Sequence, residues 1–503
     1  MKHLLLALLL ALPFVSFEQN IHIKVNNQKD TTVFLVKYYG KNLLYADTAQ
    51  MVHGEVTFDG KKQKPGVLGL LLPGQKFFEF LYNGHDVDFS TEGPDFVANM
   101  KVKKSDENKL FLEYITHLKV NRDKATAMTA KLDSLKKDSK EYKDLKAKID
   151  KIGEEVKAFQ KDFAEKNKGY LVGKIVKMST DVDVPDAPKD AKGNVIDSNF
   201  RYYFYRDHFF DNIDLKDDRL VNSPIFDQKI SYFFGPKFLL QNPDTVAQQA
   251  EKIFDQMNPH GEMFKYTITH LMVDAEQPKI MGMDKVFVLL GDKYYCHNAP
   301  DGKPYVDWMT DEKLNDLCDK VNIQKHLTIG AQAIDITLPD STEKVWKDFY
   351  SLKCDYVVLY FWEATCGHCK KATPVLEQLY EKKFKKRGIE VFGVSKAIGE
   401  DMKLWKDFIR TNKLTFTNVA LTDSIYKAAL KNSSLFIPKY TTIESLNYSQ
   451  TYDIYSTPTI YVVDQKTHKI IAKRLGLSQL EDFMDRLQHQ ENAKKIVPKG
   501  KEF

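Results

Sequence analysis

From Ile21 to about Thr91 apolar and polar residues alternate, as in Ile21-His22-Ile23-Lys24-Val25, and Asn83-Gly84 precedes a second alternation at Val87-Asp88-Phe89. A period of two puts every second side chain on one face, which predicts antiparallel strands, and Asn-Gly predicts a tight hairpin turn. Residues 20–104 are therefore read as a small β-sandwich. From about Ser105 the period changes. Tyr142, Leu145, Ile149, Ile152, Val156, Phe159 and Phe163 fall at alternating spacings of three and four, a helical seam, and the dense charge of Asp133 to Lys148 leaves the opposite face to solvent. Residues 105–325 are read as an all-α domain. A loop rich in Pro, Asp and Gly near Asp183 to Asn194 precedes Phe200, Tyr202, Tyr203, Phe204, Tyr205, Phe209 and Phe210. These aromatics fit either a docking surface for client proteins or a helix buried in its own domain. Because they cover most of a helix surface, burial is the better reading.

After Gly330 the pattern changes again. Asp355-Tyr-Val-Val-Leu-Tyr-Phe361 has the continuous apolar character of a buried strand, followed by a helical stretch through Arg387 and a strand at Ile389 to Ser395. A helix at Asp401 to Asn412, a short strand at Val419 and a loop-rich insertion come next. Thr459 to Asp464 and Lys469 to Leu475 pair as strands, and Ser478 to Gln488 closes as a helix. This β-α-β-α-β-β-α order predicts an α/β domain over residues 328–490, with a basic tail at 491–503. The whole is a multidomain chain: N-terminal β-sandwich, central all-α domain, C-terminal α/β domain.

A length of 503 residues suits about three domains at roughly 100 to 200 residues each. The 28% charged residues carry both signs and leave +5 net, with basic runs interrupted by acids, which argues against nucleic acid as a partner. Lys2, the apolar run Leu4 to Val15 and the small Ser16 make a signal peptide pattern over residues 1–17, and no later segment is long and apolar enough to span a bilayer. No cysteine precedes Cys296, so a lipid anchor on an N-terminal cysteine is excluded. The expected location is the periplasm, as an exported soluble protein of the cell envelope, where disulfides persist.

The five cysteines are too few for a disulfide-stapled scaffold, so their role is expected to be chemical. Cys366-Gly367-His368-Cys369 lies between a strand and a helix. A helix start offers unpaired N–H groups and partial positive charge, which favours the thiolate of Cys366 and makes it a nucleophile near neutral pH. Cys369, one turn on, is placed to resolve a mixed disulfide. Gly367 permits the tight turn, and His368, with Lys370 and Lys371, adds positive charge that tunes the thiolate. A zinc site would need a second ligand pair, and c-type haem attachment would need His where Lys370 stands, so no metal and no cofactor are expected. An inert structural disulfide is the bland alternative. Cys354 precedes the strand that leads to Cys366, which puts it tens of ångströms away, a buried thiol. Spacing alone leaves Cys296 and Cys318 as two thiols or one bridge.

Trp362-Glu-Ala-Thr-Cys366-Gly-His-Cys369-Lys-Lys, Pro374 and Ser456-Thr457-Pro458-Thr459 before a buried strand together resemble thioredoxin-fold proteins, with the exported TlpA/ResA-like branch from Gram-negative bacteria, which carries extra N-terminal domains, the best match. The resemblance covers about residues 328 to 490. It implies that Pro458 follows a cis bond and faces the cysteine pair, and that the Thr457 backbone and Trp362 meet the client chain. Two acids of the family are missing, their positions falling at Tyr360 and Ala372. Glu363 is the nearest remaining carboxylate, either a proton-transfer group for the resolving thiol or a loop residue. The Gly-His dipeptide resembles that of protein disulfide isomerase, which leaves the direction of electron flow open.

The expected function is a thiol-disulfide oxidoreductase that exchanges disulfides with protein clients, as a reductant supplied by a membrane electron donor or, in reverse, coupled to an acceptor. Disulfide oxidase or isomerase is the alternative. From a different class comes a ligand-binding or scaffold protein whose thioredoxin-like domain is vestigial.

Overall fold

The computed structural model describes residues 19–498. The segment read as a signal peptide, residues 1–17, lies outside the described residues, as do residues 499–503 of the tail. The chain divides into two compact units, one of residues up to Leu239 with Lys252–Thr267, the other of Leu240–Glu251 with the residues from Ile268 on.

The first unit begins with eight strands, β1 (Asn20–Val25), β2 (Thr31–Tyr39), β3 (Asn42–Met51), β4 (Glu55–Asp59), β5 (Gly66–Leu72), β6 (Lys76–Tyr82), β7 (Val87–Thr91) and β8 (Lys101–Lys104). They form two four-stranded sheets, ordered β4-β1-β7-β8 and β3-β2-β5-β6. Alternate residues from both sheets, among them Ile21, Ile23, Leu35, Leu70, Phe80 and Phe89, share one core, which makes this a sandwich. The Asn83-Gly84 turn is not the expected hairpin. β6 and β7 belong to different sheets, and β7 runs parallel to β1 with Ile21 opposite Val87. Gly84, at a φ of 76°, turns the chain from one sheet to the other. Alternation fixes which side of a strand faces the core, and both neighbours satisfy it equally.

Two 27-residue helices follow, α1 (Asp106–Leu132) and α2 (Lys140–Lys166), each with a serine N-cap, Ser105 and Ser139. The expected seam lies on α2. It meets α1 through the Tyr114, Phe159 and Phe163 rings, yet only Phe163 of the seam is fully buried. Next come α3 (Leu171–Ser179), α4 (Phe200–His208) and α5 (Pro224–Phe234). The aromatic helix α4 departs from the burial expected for it: none of its residues is fully buried, and Tyr203 is 44% exposed. Aromatics on successive positions point all round a helix, but protein covers only one side of this one. Burial resumes just beyond it at Phe209 and Phe210, which join Phe233 and Phe238 in an aromatic cluster.

Helices α6 (Pro243–Phe254) and α7 (Glu262–Glu276) fall where the chain passes between the units, and α8 (Asp284–Leu290) and α9 (Asp311–Lys325) belong to the second. Cys296 and Cys318 are joined in a disulfide, tying α9 to the turn after α8. After a short hairpin of β9 (Thr337–Pro339) and β10 (Trp346–Asp348) comes the α/β fold: β11 (Tyr356–Phe361), α10 (Gly367–Leu379), β12 (Ile389–Ala397), α11 (Asp401–Thr411), β13 (Thr417–Thr422), α12 (Asp423–Lys431), the one-turn helices α13 (Ile443–Leu446) and α14 (Tyr448–Thr451), β14 (Thr459–Asp464), β15 (Lys469–Lys473) and α15 (Leu477–Leu487). The sheet order is β13-β12-β11-β14-β15, with β11, β12 and β13 parallel and β14 and β15 antiparallel. Val358, Tyr360 and Trp362 point into one core and Val357, Leu359 and Phe361 into the other, so β11 reads as continuously apolar because both of its faces are covered. On the first face α15 is bolted down by charge: buried Lys383 donates to Glu481 and Asp485, and Glu481 also accepts the Ile496 and Val497 N–H groups. Residues 496–497 of the basic tail therefore pack on the domain, Val497 in its core.

Candidate functional site

Central strand β11 delivers the chain to the edge of the sheet, where Cys366 caps α10. Its backbone is extended (φ −69°, ψ 123°), its N–H donates to the Glu363 carbonyl (3.2 Å), and its Sγ accepts the Cys369 N–H (3.3 Å). The sulfur thus occupies the place of an N-cap oxygen. Across from it the cis Thr457–Pro458 bond precedes β14, and the Cys366 thiol donates to the Thr457 carbonyl at 3.1 Å. Both cysteines are free thiols.

Their environments differ. Burial acts to raise the Cys366 acidity constant, but hydrogen bonds from the Thr457 side chain, from Cys369 and from the Cys369 and His368 N–H groups outweigh it and hold the thiol below its ordinary value. Cys369 is fully buried, and burial, reinforced by its bond with Cys366, pushes its thiol up to about 12. One sulfur is half-buried with its thiol made more acidic, and the other lies buried beneath it with its thiol made less so.

The remaining expected residues divide. Thr457 meets Cys366 through its carbonyl, and it and Pro458 are half-buried. His368 is exposed and contributes its backbone N–H to Cys366. Gly367 is not required by the turn: it lies outside the left-handed region, and a Cβ there would meet open space, since the N-cap geometry is formed by Cys366 itself. Trp362 is not at the client face. It is 1% exposed, because the two-residue period of β11 carries it inward with Val358 and Tyr360, where its ring meets Phe408. Glu363 supports Cys366 through its carbonyl, and the group that feels its carboxylate is the Tyr448 hydroxyl. Cys354, expected to be a buried thiol, is half-buried, and burial with the charge of Glu390 raises its thiol to about 11.

Sequence reasoning passed over the groups around the buried thiol. Tyr360 and Thr373 share a hydrogen bond (2.8 Å) in the core, and the Tyr360 hydroxyl is held above its ordinary value by burial, with the Thr373 bond opposing and the charges of Cys369 and Cys366 adding to the rise. Both sit where a strand and a helix face each other, a juxtaposition the Tyr360-to-Cys366 spacing hinted at. Tyr360, Ala372, Pro458 and Ile460 line one side of a cavity of about 630 Å³. Its other walls come from α9, from the α7–α8 connection and from the residues around the end of β15, where Lys320 pairs with Glu276, Arg474 with Asp453, and Lys473 with Asp284. Lys473 is buried, and burial holds its ammonium below the ordinary value against the pull of Asp284. Among the described residues no cluster of three or more His, Cys, Asp or Glu is arranged to hold a metal ion, and no helix is long and apolar enough to cross a membrane.

A five-stranded mixed sheet, a dithiol at the start of the helix after its central strand, and a facing Thr-Pro turn define a thioredoxin-like oxidoreductase. Residues 329–472 match the AhpC/TSA family, so the C-terminal region carries an AhpC/TSA thioredoxin-like domain. Residues 19–111 match DUF4369, a domain of unknown function. No curated protein matches the chain. Among solved structures, a domain of a possible thiol-disulfide isomerase from Cytophaga hutchinsonii is 32% identical over 33% of this chain and 97% of its own, with a TM-score of 0.25. The thioredoxin domain of a thiol-disulfide oxidoreductase from Bacteroides vulgatus is 28% identical over 32% of this chain and 97% of its own, TM-score 0.25. A thioredoxin-like protein from Bacteroides caccae is 14% identical over 62% of this chain and 99% of its own, TM-score 0.43.

Proposed function

We propose that the protein is an exported thiol-disulfide reductase of the cell envelope that acts on protein clients through Cys366 and Cys369. The observation that carries this reading is a pair of free thiols one helical turn apart, Cys366 half-buried as the cap of α10 and 3.1 Å from the Thr457 carbonyl, Cys369 fully buried beneath it, where burial pushes its thiol up to about 12. The Cys366 thiolate attacks one sulfur of a client disulfide, the client S–S bond breaks, and the released client thiolate takes up a proton. Cys369 then loses its proton and attacks Cys366 in the mixed disulfide, which frees the second client thiol and leaves a Cys366–Cys369 disulfide. Two electrons and two protons from a membrane donor restore the dithiol. The Thr457 backbone beside Cys366 pairs with the client chain. The signal peptide pattern and the Cys296–Cys318 bridge support export to an oxidising compartment.

The test is the fate of each cysteine variant. Cys369→Ser keeps the attacker and lacks the resolver, so covalent complexes with envelope proteins accumulate on non-reducing gels. Cys366→Ser forms few, because the remaining thiol is buried. Equal trapping by both variants, or none by either, removes the assignment. The midpoint potential of the pair then fixes the direction: a value near the reducing end of the roughly −270 to −120 mV spanned by thioredoxin-like proteins supports the reductase, and one near the oxidising end the oxidase.

A further inference from the structure

Four residues before Thr457, the Asp453 side chain is 8% exposed, and a single oxygen, Oδ2, gathers three donors. These are Gln324 Nε2 of α9, the Tyr455 hydroxyl (2.6 Å) and the Arg474 guanidinium just after β15 (2.9 Å). Asp453 itself lies in the left-handed region, at a φ of 54°, so the chain reverses direction at this carboxylate. Lys320 of α9 and Arg474 both lie over the Tyr455 ring, at 5.6 and 5.7 Å, although that ring is 66% exposed. Beyond it Ser456 is exposed, its carbonyl held by the Thr459 hydroxyl (2.7 Å), and then comes Thr457, whose carbonyl is 3.1 Å from Cys366 Sγ. A charged acceptor with three converging donors is a strong polar anchor for this stretch, and its loss would leave the buried Gln324 amide unpaired.

We propose that Asp453 is a positioning residue for disulfide exchange, clamping the 453–458 loop to α9 and to the end of β15 so that the Thr457 backbone is held against Cys366 and presented to the client. The inference rests on the exchange reading above. It gives the helical segment a share in the active face, since one of the three donors comes from α9, 129 residues away in sequence.

A positioning role and a simple charge effect differ in sign. Removing a negative charge near the site favours the thiolate and lowers the Cys366 pKa, whereas loosening the loop withdraws the Thr457 side-chain hydrogen bond that holds the thiol down and raises it. Asp453→Asn suits the test because Asn tolerates the left-handed conformation. The expected result is a higher Cys366 pKa, followed by ultraviolet thiolate absorbance. Reduction of insulin by the dithiol form slows by about two- to tenfold, the range of one hydrogen bond, with a smaller change toward a small aromatic disulfide. Gln324→Leu, which removes only the α9 donor, shifts both quantities the same way by less. It decides alone if Asp453→Asn does not fold by circular dichroism. An unchanged or lowered Cys366 pKa, or an unchanged insulin rate, overturns the positioning role. A wild-type protein that neither lowers the Cys366 pKa nor reduces insulin removes the exchange reading itself, and the inference with it.

Discussion

Two thiols three residues apart are displaced in acidity in opposite directions because one is the cap of a helix and the other lies under it. The same logic acts on a second group. Asp335, half-buried before β9 and close to Asp348, has its carboxyl raised to about 6, by burial first and by Asp348 second, against the pull of backbone N–H groups. An unfolded Asp titrates near 3.9, so the folded state holds this proton more tightly. The associated stability is complete below about 3.9 and is lost as pH rises through about 6. Asp335→Asn keeps an acceptor for the Tyr350 N–H and carries no charge, so its Tm should exceed that of the wild type at pH 7 and match it at pH 4. A gain of equal size at both values would mean that charge is not the cause. At this scale spacing alone placed Cys366 and Cys369 one turn apart at a helix start, while the cis Thr457–Pro458 bond was expected from the family resemblance. Asp453 was hidden because its α9 donor is 129 residues away, and Trp362 was misassigned because a family role was transferred without following the period of β11 inward.

Helices and strands were read correctly where one face, or both, meets a core: β1, α2 and β11 each show the period their burial imposes. The errors came where a partner decides. Asn83-Gly84 is a good hairpin signal, yet β7 finds β1 rather than β6, and α4 has aromatics on sides that nothing covers. The bridge to α9 also depends on a partner, and spacing left it open. It closes a loop with a sequence separation of 22, and the chain-entropy estimate for such a loop is about 3 kcal/mol. Replacing Cys296 and Cys318 together by Ser should lower the calorimetric unfolding temperature of the second unit by several degrees while the Cys366–Cys369 pair still oxidises and reduces. An unchanged transition would show that α9 is held by its packing alone.

Across the whole molecule, periodicity told helix from strand but not which helices pack together: α1 to α5 fall with the sandwich, α8 and α9 with the thioredoxin-like domain. The attachment of that second group is electrostatic at its centre, where buried Lys473 of β15 meets Asp284 of α8 and donates to the Leu327 carbonyl (2.6 Å). Removing one partner of a buried pair leaves an uncompensated charge, at about 3 to 5 kcal/mol. Asp284→Ala should therefore be strongly destabilising, and adding Lys473→Met should recover most of the loss. Additive single effects in that double-mutant cycle would rule the pairing out as the source. The bridge at Cys296–Cys318 has a consequence of another kind, because it shares a molecule with a reactive dithiol. For a closed bridge and a reduced pair to coexist at equilibrium, the bridge must be the harder of the two to open. Any donor that recharges Cys366 and Cys369 is thus confined to a window, reducing enough to supply the pair and too weak to unfasten α9.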